Sequence, residues 1–424
     1  MISNSDSKEA YVWIWLPNQT DPVVAGKVET YDNQVYFNYG RSYLARASSN
    51  PTPISIYEPE LPLRAGAIPL GDHLAMPACI RDAAPDAWGR RVVINKLLGA
   101  KGVGIDTAKL SEITYLLESG SDRIGALDFQ KSATEYQPRQ SQNASLEELL
   151  ESASRVERGV SLTEELGMAL FDGTAIGGAR PKALIQDDST KYIAKFSSST
   201  DISSVVKAEF IAMELAAKCG LNVAKVKLVK AAGKDVLLIE RFDRTKTKSG
   251  WTRKAMVSAL TLFGFHDLMA RYASYEDLAK IIRHRFVEPK KNLRELYSRM
   301  VFNILCGNTD DHARNHAAFW NGQDLDLTPA YDICPQERVG GEASQAMLIS
   351  GIRNLSKLSY CLEAAHHFLL DKNSGREIIE SLKAVIETNW AEVCEKAEVN
   401  EIERKLMWRR QFLNPFAFEG SSIR

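Results

Sequence analysis

One stretch of the chain, from Leu293 to His316, constrains the fold more than any other. Its first half places apolar residues three and four positions apart, which predicts a helix with one apolar face. These residues are Leu293, Leu296, Tyr297, Met300, Val301, Ile304 and Leu305. The pattern stops at Gly307, and the sequence that follows, NTDDHARNH, is almost entirely polar. We therefore expect a long helix that ends at a glycine and is followed by a loop rich in carboxylate, amide and imidazole groups.

Size and composition set bounds on the rest of the chain. A chain of 424 residues is expected to form two or three units, and 45% hydrophobic residues with 25% charged residues is ordinary for globular proteins. The 53 basic and 54 acidic residues give a net charge of −1, which argues neither for nor against nucleic-acid binding.

The sequence shows no motif typical of a redox or zinc site, of a secretion signal or of a membrane-spanning segment. The six cysteines form no C-x-x-C pair, the N-terminal sequence MISNSDSKEA is polar, and no window approaches about 18 consecutive apolar residues. We therefore expect a cytoplasmic protein with reduced thiols, without a zinc ribbon and without a membrane-spanning helix.

The first part of the chain alternates apolar and polar residues as strands do. The predicted strands are Tyr11–Leu16, Pro22–Ala25 and Gln34–Phe37, and helical patterns follow at Asp86–Leu98 and near Leu110–Glu118. Together they predict a β-rich N-terminal subdomain over residues 1–140, formed by an antiparallel meander and helices.

A second domain is predicted over residues 141–424. The segment Lys131–Asn143 is polar and aperiodic, and we interpret it as the main linker. Beyond it the chain is strand-rich to about residue 250 and mainly helical after that. The predicted elements are a helix with a capping box from Ser145 to about Glu157, a hairpin of Lys182–Gln186 and Lys191–Phe196, a helix Val205–Cys219 closed by Gly220, and strands Val223–Val229 and Val236–Glu240.

Several residues of the strand-rich part suit phosphate binding. Adjacent Gly177 and Gly178 let main-chain N–H groups approach an anion, and Arg180 and Lys182 add positive charge. An ordinary glycine turn explains the same residues, because neither standard glycine-rich nucleotide motif is present.

Lys195 and Glu209 form a second candidate pair. Lys195 shares a strand face with Ile193 and could reach a phosphate group, and Glu209 shares a helix face with the apolar Val205. Protein kinases fix their phosphate-binding lysine with such a glutamate. An edge-strand lysine and a surface glutamate are the competing interpretation.

Asp310 and Asn315 give the strongest indication of chemistry. Their D-x-x-x-x-N spacing equals that of the protein-kinase catalytic loop, in which aspartate is the base and asparagine binds magnesium. The turn dipeptide Asn321-Gly322 predicts a hairpin, which would return Asp332 beside Asn315 as a second ligand. Oxygen ligands without cysteine suit Mg²⁺.

A metallohydrolase is the alternative explanation of this loop. His312 and His316, together with Asp310 and Asp311, could hold a transition metal. Loop histidines that are hydrogen-bonded locally explain the same residues.

Six motifs follow one another along the chain. They are GGARPKA (Gly177–Ala183), YIAKF (Tyr192–Phe196), the helix with Glu209, ERFDR (Glu240–Arg244), NTDDHARNH (Asn308–His316) and PAYDICP (Pro329–Pro335). In this order they resemble the HipA family of bacterial toxin serine/threonine kinases. The N-terminal region is similar to the family's amino-terminal subdomain through Ala84–Arg90 and Arg123–Leu127. The resemblance covers most of the chain. It implies an α+β, HipA-like two-lobed protein-kinase-like fold, with a small β-rich N-terminal subdomain and a mainly helical C-terminal lobe.

The resemblance also implies roles for individual residues, with ATP and Mg²⁺ as cofactors. Asp310 would be the catalytic base, although the adjacent Asp311 leaves an ambiguity, and Asn315 and Asp332 would hold Mg²⁺. The phosphate loop would be formed by Gly177, Gly178, Ala179, Arg180, Pro181 and Lys182. Lys195 would be the phosphate lysine beside Glu209. The segment of Glu240, Arg241 and Phe242 would contact the adenine, and His312, Arg314 and Tyr331 would line the nucleotide site.

One position departs from the family pattern. Family members commonly carry an autophosphorylated serine just before the glycine pair, and Ala175 occupies that position here. Three explanations stay open: the adjacent Thr174 is the self-phosphorylation site, this control is absent, or Ala175 is an engineered substitution.

The function implied by the resemblance is a toxin kinase that phosphorylates a host protein and arrests growth. The family's known targets make an aminoacyl-tRNA synthetase a reasonable substrate. A HipB-like helix-turn-helix antitoxin is the implied partner, with DNA reached only through it and no membrane. Two alternatives are a kinase-fold protein with weak catalysis that acts with an antitoxin in repression, and a kinase for a small molecule or lipid.

Overall fold

The structure is a computed structural model. It describes residues 7–48, 51–98, 106–107, 110–139, 144–160, 162–163, 166–167, 170, 172–178, 180–197, 201, 204–338, 340–421 and 423. The chain forms two compact units. The first contains Met1–Ile202, Val229–Val257 and Trp320–Gln323, and the second contains Ser203–Leu228, Ser258–Phe319 and Asp324–Arg424.

A four-stranded antiparallel sheet begins the first unit. Its strands are β1 (Glu9–Ile14), β2 (Val23–Tyr31), β3 (Gln34–Tyr39) and β4 (Leu127–Gln130), in the order β3-β2-β1-β4. Val12 is central, since it pairs with Gly26 on β2 and with Phe129 on β4 and is fully buried. The predicted meander is confirmed, and β4 is an addition from a distant part of the chain.

Five helices of the described residues follow in the first unit. They are α1 (Arg41–Leu44), α2 (Ala78–Arg81), α3 (Ala87–Leu98), α4 (Glu112–Glu118) and α5 (Leu146–Glu157), with 3₁₀ turns at Ala45–Ser48 and Asp172–Ala175. The predicted capping box at the start of α5 is present: the Ser145 hydroxyl accepts from the Glu148 N–H, and the Glu148 carboxylate accepts from the Ser145 N–H.

A second four-stranded sheet has the order β5-β6-β8-β7. Its strands are β5 (Lys182–Gln186), β6 (Lys191–Phe196), β7 (Val226–Ala231) and β8 (Lys234–Glu240). The β5–β6 hairpin has the predicted bounds, and its turn is closed by Asp187, whose carboxylate accepts from the N–H groups of Ser189 and Thr190. Tyr192, Ala194 and Phe196 are buried in a core shared with Trp88 and Leu149. Lys195 therefore lies on the opposite, half-exposed face.

The segment predicted as the main linker packs against the first sheet over its described residues, 131–139. The Tyr136 ring lies 5.4 Å from both Trp13 and Trp15, and its hydroxyl donates to Asp128. Arg139 pairs with the same carboxylate at 2.9 Å. Tilted and edge-to-face aromatic contacts and charged hydrogen bonds thus hold a segment whose polar sequence predicted a linker. The compact units do not divide at residue 140, and the predicted domain division there stays a prediction.

The second unit is mainly helical, as predicted. Its longer helices are α6 (Val205–Lys218), α8 (Tyr275–Arg285), α9 (Pro289–Cys306) and α11 (Lys372–Lys396). Its shorter helices are α7 (Ala259–Leu262), α10 (Leu358–Ala364), α12 (Glu401–Met407) and α13 (Pro415–Phe418), with 3₁₀ turns at Asp267–Tyr272 and Ala365–Phe368. Gly220 follows α6 in the left-handed conformation at φ 79°, as its predicted capping role requires.

The remaining strands are short. A hairpin of β9 (Arg244–Thr247) and β10 (Gly250–Arg253) precedes β11 (Ala255–Ser258), and the predicted hairpin after the polar loop is formed by β12 (Ala317–Trp320) and β13 (Leu325–Leu327). No helix of the described residues is long and apolar enough to span a bilayer.

Candidate active site

The predicted site residues are distributed over both compact units. The first unit contains the turn at residues 174–182, Lys195 and the segment Glu240–Phe242. The second contains Glu209, the loop Asp310–His316 and the pair Tyr331 and Asp332. Ala179 lies outside the described residues.

The glycine turn is held together by a lysine. Lys182 is 3% exposed, and its Nζ donates to the carbonyl of Gly177. Gly178 has φ 114°, and a Cβ atom there would meet Lys182 Nζ, so the turn requires glycine. Arg180 is paired with Asp201 at 2.7 Å, and the Pro181 carbonyl accepts from the Phe196 N–H at 3.1 Å. The turn is therefore fastened to the end of β6.

Lys182 and Lys195 are directly opposite each other in the β5–β6 ladder. Residues opposite each other in an antiparallel pair share a face, and two like charges in that arrangement disfavour each other. A phosphate group is a chemically suitable ligand for such a pair of cations.

Thr174 does not present its hydroxyl in this conformation. It is 1% exposed, and its Oγ1 accepts from the Gly120 N–H at 2.9 Å. The Thr174 carbonyl also lies so close to Gly89 that a Cβ there would approach it to 1.9 Å. Self-phosphorylation at Thr174 would require the 3₁₀ turn to open, so this conformation does not support that prediction.

Arg241, in the segment predicted to contact adenine, has its side chain engaged in buried ion pairs. Its guanidinium is 4% exposed and is paired with Asp243 at 2.8 Å and with Asp122 at 3.1 Å, so this side chain is not available to a nucleotide. Its main-chain N–H also donates to the Lys191 carbonyl at 2.8 Å. Glu240 and Phe242 are half-buried, and their predicted adenine contact stays a prediction.

The buried ion network around Arg241 was not found from the sequence. Asp122 accepts from Arg244 Nε at 2.9 Å and from Lys191 Nζ at 2.5 Å. Burial alone would raise the pKa of the Asp122 carboxyl, but Arg241, Arg244 and Lys191 hold it well below its usual value. The two arginines of the ERFDR motif were the available signal, because buried arginines require carboxylate partners.

The polar loop starts where α9 ends. Gly307 has φ 75°, and a Cβ there would come within 2.6 Å of the Gln411 carbonyl, so only glycine fits. Two main-chain bonds from α7 then fasten the loop: the Ala259 N–H donates to His316 O at 2.7 Å, and the Leu260 N–H donates to Ala313 O at 3.2 Å.

Asp310 and Asn315 lie at opposite ends of this fastened turn. Asp310 is exposed and Asn315 is 7% exposed. The Asn315 main-chain N–H donates to His312 O at 2.8 Å, and its side-chain amide nitrogen lies 3.4 Å from Asp310 O. That arrangement leaves the amide oxygen of Asn315 as the atom suited to a cation.

Asp311 points inward, unlike Asp310. It is 2% exposed and accepts from the Tyr275 hydroxyl, and His316 Nε2 lies 2.9 Å from the same carboxylate oxygen. The sequence analysis treated the two carboxylates as alternatives. Their environments differ because Asp311 alone faces the buried side of the loop.

The other predicted nucleotide-lining residues surround the same loop. Arg314 is exposed and paired with Asp267, and Tyr331 donates its hydroxyl to Arg314 O at 2.7 Å. The buried Nδ1 atom of His312 has no hydrogen-bond partner among the described residues. An unpaired buried polar atom costs free energy, so a ligand that bonds to it would be stabilised.

Asp332 follows the β12–β13 hairpin in a left-handed backbone conformation, at φ 59°. The chain then returns to the start of the loop, where the Gln336 N–H donates to Gly307 O at 3.0 Å. Asn315 and Asp332 offer one amide oxygen and one carboxylate, a donor set that fits Mg²⁺ when phosphates and waters complete its coordination. Among the described residues, no three His, Cys, Asp or Glu side chains are grouped to hold a metal.

Comparison with known proteins assigns the family. The chain matches the model of the HipA N-terminal domain over residues 15–130 and that of the HipA-like C-terminal domain over residues 174–390. The second match alone spans half of the chain, and the protein belongs to the HipA family.

Two curated relatives agree with this assignment. A region of 146 residues is 27% identical to a putative kinase, Y4mE, of Sinorhizobium fredii and covers 33% of either chain. A region of 161 residues is 27% identical to the serine/threonine-protein kinase toxin HipA of Shewanella oneidensis, covering 34% of this chain and 36% of the relative. The chain thus spans about a third of the length of these relatives.

A solved structure confirms the predicted fold class. The protein resembles one chain in the structure of the toxin–antitoxin complex of Shewanella oneidensis HipA, HipB and its operator DNA, with a TM-score of 0.66 at 18% identity, over 95% of each chain. The HipA-like α+β fold, with its small N-terminal sheet and mainly helical C-terminal part, is therefore established.

Proposed function

We propose that the protein is an ATP-dependent serine/threonine protein kinase that acts as the toxin of a HipA/HipB-like toxin–antitoxin system. It would phosphorylate a host protein, such as an aminoacyl-tRNA synthetase, in the cytoplasm and so arrest growth. A HipB-like antitoxin would bind it and would provide the only contact with DNA. The names of the relatives and the HipA–HipB–DNA complex support this proposal.

One observation carries the proposal: a single fastened loop presents an exposed Asp310 and a buried Asn315 at kinase spacing. Asp310 would accept the proton of the acceptor hydroxyl as its oxygen attacks the γ-phosphorus of ATP. The bond from that phosphorus to the bridging oxygen breaks, and ADP leaves. Asp311 is unsuited to this role because it is buried and already hydrogen-bonded.

Other residues would bind ATP. The N–H groups of the Gly177–Lys182 turn and the cation of Lys195 suit its phosphates. The Nδ1 atom of His312, which has no partner in the described part of the chain, offers a polar contact. Glu209 is 3% exposed, and its role as lysine partner stays a prediction from the sequence. Mg²⁺ held by Asn315 and Asp332 would neutralise charge on the phosphates.

The test is phosphate transfer from radiolabelled ATP by the purified protein into a bacterial lysate, followed by identification of the labelled protein. We expect Asp310→Ala to lower the rate at least about 100-fold, as expected when a general base is lost. Asp324→Ala, in the β12–β13 turn, is the control and should transfer at the wild-type rate. Full transfer by Asp310→Ala would overturn the assignment, and ATP binding without any labelled protein would favour a binding function.

A further inference from the structure

The buried side of the catalytic loop contains three polar side chains that no step of the proposed reaction uses. They are Asp311, Tyr275 and His316, which are 2%, 0% and 3% exposed. Both of the other side chains meet one carboxylate oxygen of Asp311, since the Tyr275 hydroxyl donates to it and His316 Nε2 lies 2.9 Å from it. The Tyr275 and His316 rings pack edge to face with centroids 5.4 Å apart.

A buried carboxylate is costly unless hydrogen bonds compensate its lost hydration. Aliphatic side chains of similar size would fill this space without that cost. We therefore expect a structural role for this polar cluster, and the positions of its residues in the sequence indicate that role.

Two residues of the cluster have the same sequence spacing as the proposed catalytic residues and lie one position later in the chain. Asp310 and Asn315 are five residues apart, and their next neighbours, Asp311 and His316, are joined to each other through side chains. A bond between Asp311 and His316 therefore also fixes the distance between Asp310 and Asn315. The cluster thus acts as a brace across the base of the loop.

The brace is also attached to the helical part of the unit. Tyr275 is the first residue of α8, and its main-chain N–H donates to Leu348 O at 2.8 Å. Nearby on the same returning segment, the Ala346 N–H donates to Thr309 O at 2.9 Å. Thr309, immediately before Asp310, and Tyr275 are therefore both held by the short segment Ala346–Leu348.

We propose that Asp311, Tyr275 and His316 are positioning residues, which hold the base Asp310 and the cation ligand Asn315 in register for phosphoryl transfer. This inference rests on the proposed kinase function. It assigns Asp311 a role through hydrogen bonds and geometry, and not as an alternative base.

The experiment compares initial rates of label transfer from ATP into the labelled lysate protein at varied ATP and Mg²⁺ concentrations. We expect Asp311→Ala to lower kcat about 100-fold, the scale of a misplacement of about 1 Å. Tyr275→Phe, which removes one hydroxyl, should lower kcat about tenfold. The KM for ATP should change less than about twofold in both variants, while half-saturation by Mg²⁺ should move several-fold upward because Asn315 shifts.

Asp311→Asn separates positioning from base catalysis. Its amide can accept from Tyr275 and bond to His316, so we expect it to restore kcat to within about tenfold of wild type. If Asp311→Asn is as inactive as Asp311→Ala, the carboxylate charge is required and the positioning role is wrong. Wild-type kcat in Asp311→Ala or Tyr275→Phe would also overturn it.

Tyr272→Phe is the matched control, because this tyrosine lies three positions earlier and is 53% exposed. It should retain wild-type kcat. Circular dichroism of each variant checks its fold, and Tyr275→Phe and Asp311→Asn still decide the matter if Asp311→Ala does not fold. Failure of the kinase proposal is distinguishable from failure of the positioning proposal. In that case the wild type transfers no phosphate, or Asp310→Ala transfers it at the full rate, and the positioning role falls with it.

Discussion

At the scale of single residues, Asp332 combines a backbone strain with a predicted metal-binding role. A left-handed conformation costs a non-glycine residue about 1–2 kcal/mol, although aspartate tolerates it better than most. Such strain persists where the surrounding structure imposes it, and it is concentrated at functional sites. Its position after the β12–β13 hairpin and before the return to Gly307 imposes it here.

We predict that Asp332→Gly separates stability from activity. The free energy of unfolding should stay equal or rise by up to about 1 kcal/mol, because glycine relieves the strain. Phosphate transfer should fall at least about 100-fold, because the predicted Mg²⁺ ligand is lost. Urea unfolding and label transfer measure the two effects. Glu398→Gly is the control, since Glu398 is exposed at φ 51° and its replacement should relieve strain without loss of transfer. Retention of full transfer by Asp332→Gly would contradict its metal role.

Asp310 and Asp311 illustrate how far two adjacent identical residues can differ. One is exposed, and the other is buried against Tyr275 and His316. Tyr275 lies 36 positions away in the sequence. The direction of each carboxylate therefore depends on a helix that is distant in sequence, and local pattern could not distinguish them.

At the scale of elements, α9 positions the polar loop Asn308–His316 through the glycine at its end. Leu293, Leu296, Tyr297 and Met300 are fully buried, so the helix is firmly held in the second unit. Gly307 then reverses the chain in a left-handed conformation directly against the Gln411 carbonyl. A side chain at this point would displace either the loop or the C-terminal segment.

We predict that Gly307→Ala lowers the free energy of unfolding by at least about 3 kcal/mol, from the positive φ together with the overpacking. Gly220→Ala provides the matched control. Gly220 has φ 79° at the end of α6, and an added Cβ there meets nothing within 4 Å. Its replacement should cost only about 1–2 kcal/mol. Urea unfolding of both variants measures the difference, and equal losses would show that the contact with Gln411 is unimportant.

At the scale of the whole molecule, the ion network of the first unit joins segments from both family domains. Asp122 comes from the range of the N-terminal domain, and Lys191, Arg241 and Arg244 come from that of the C-terminal domain. The network is buried, so its charges are little screened by salt. Segments of both family domains thus belong to the first compact unit.

We predict that Asp122→Asn lowers the free energy of unfolding at pH 7 by about 3–5 kcal/mol, because it leaves buried cations with less compensation. The folded pKa of Asp122 lies below its unfolded value, which is about 3.9. Its stabilising contribution is therefore complete above about pH 4 and is lost as the pH falls through the folded pKa. The difference between wild type and variant should shrink below pH 4 in urea unfolding.

The control for this prediction is Asp188→Asn, a change of an exposed aspartate in the β5–β6 turn. It should leave stability within about 0.5 kcal/mol of wild type. If the difference in free energy of unfolding between wild type and Asp122→Asn did not change with pH, the charge of the Asp122 carboxylate would not stabilise the folded protein.

Much of the local structure was determined by the sequence itself. The capping box at Ser145, the β5–β6 hairpin and the helix ending at Gly307 follow from periodicity, capping and turn residues, which depend on neighbours within a few positions. The HipA-like fold class was instead implied by the family resemblance of motifs spread along the chain. The catalytic roles predicted for Lys195, Asp310, Asn315 and Asp332 came from spacing and resemblance, and they remain to be tested.

Only the tertiary structure decided which polar side chains are buried. In the fold, Asp311 accepts a hydrogen bond from Tyr275, and Arg241 forms an ion pair with Asp122. The Thr174 hydroxyl accepts from the Gly120 N–H, and the Tyr136 ring packs against Trp13. Each of these contacts joins residues that are distant along the chain. A charged or hydroxyl-bearing residue has the same local pattern in solvent and in the interior, and only its partner, brought close by the fold, makes burial favourable.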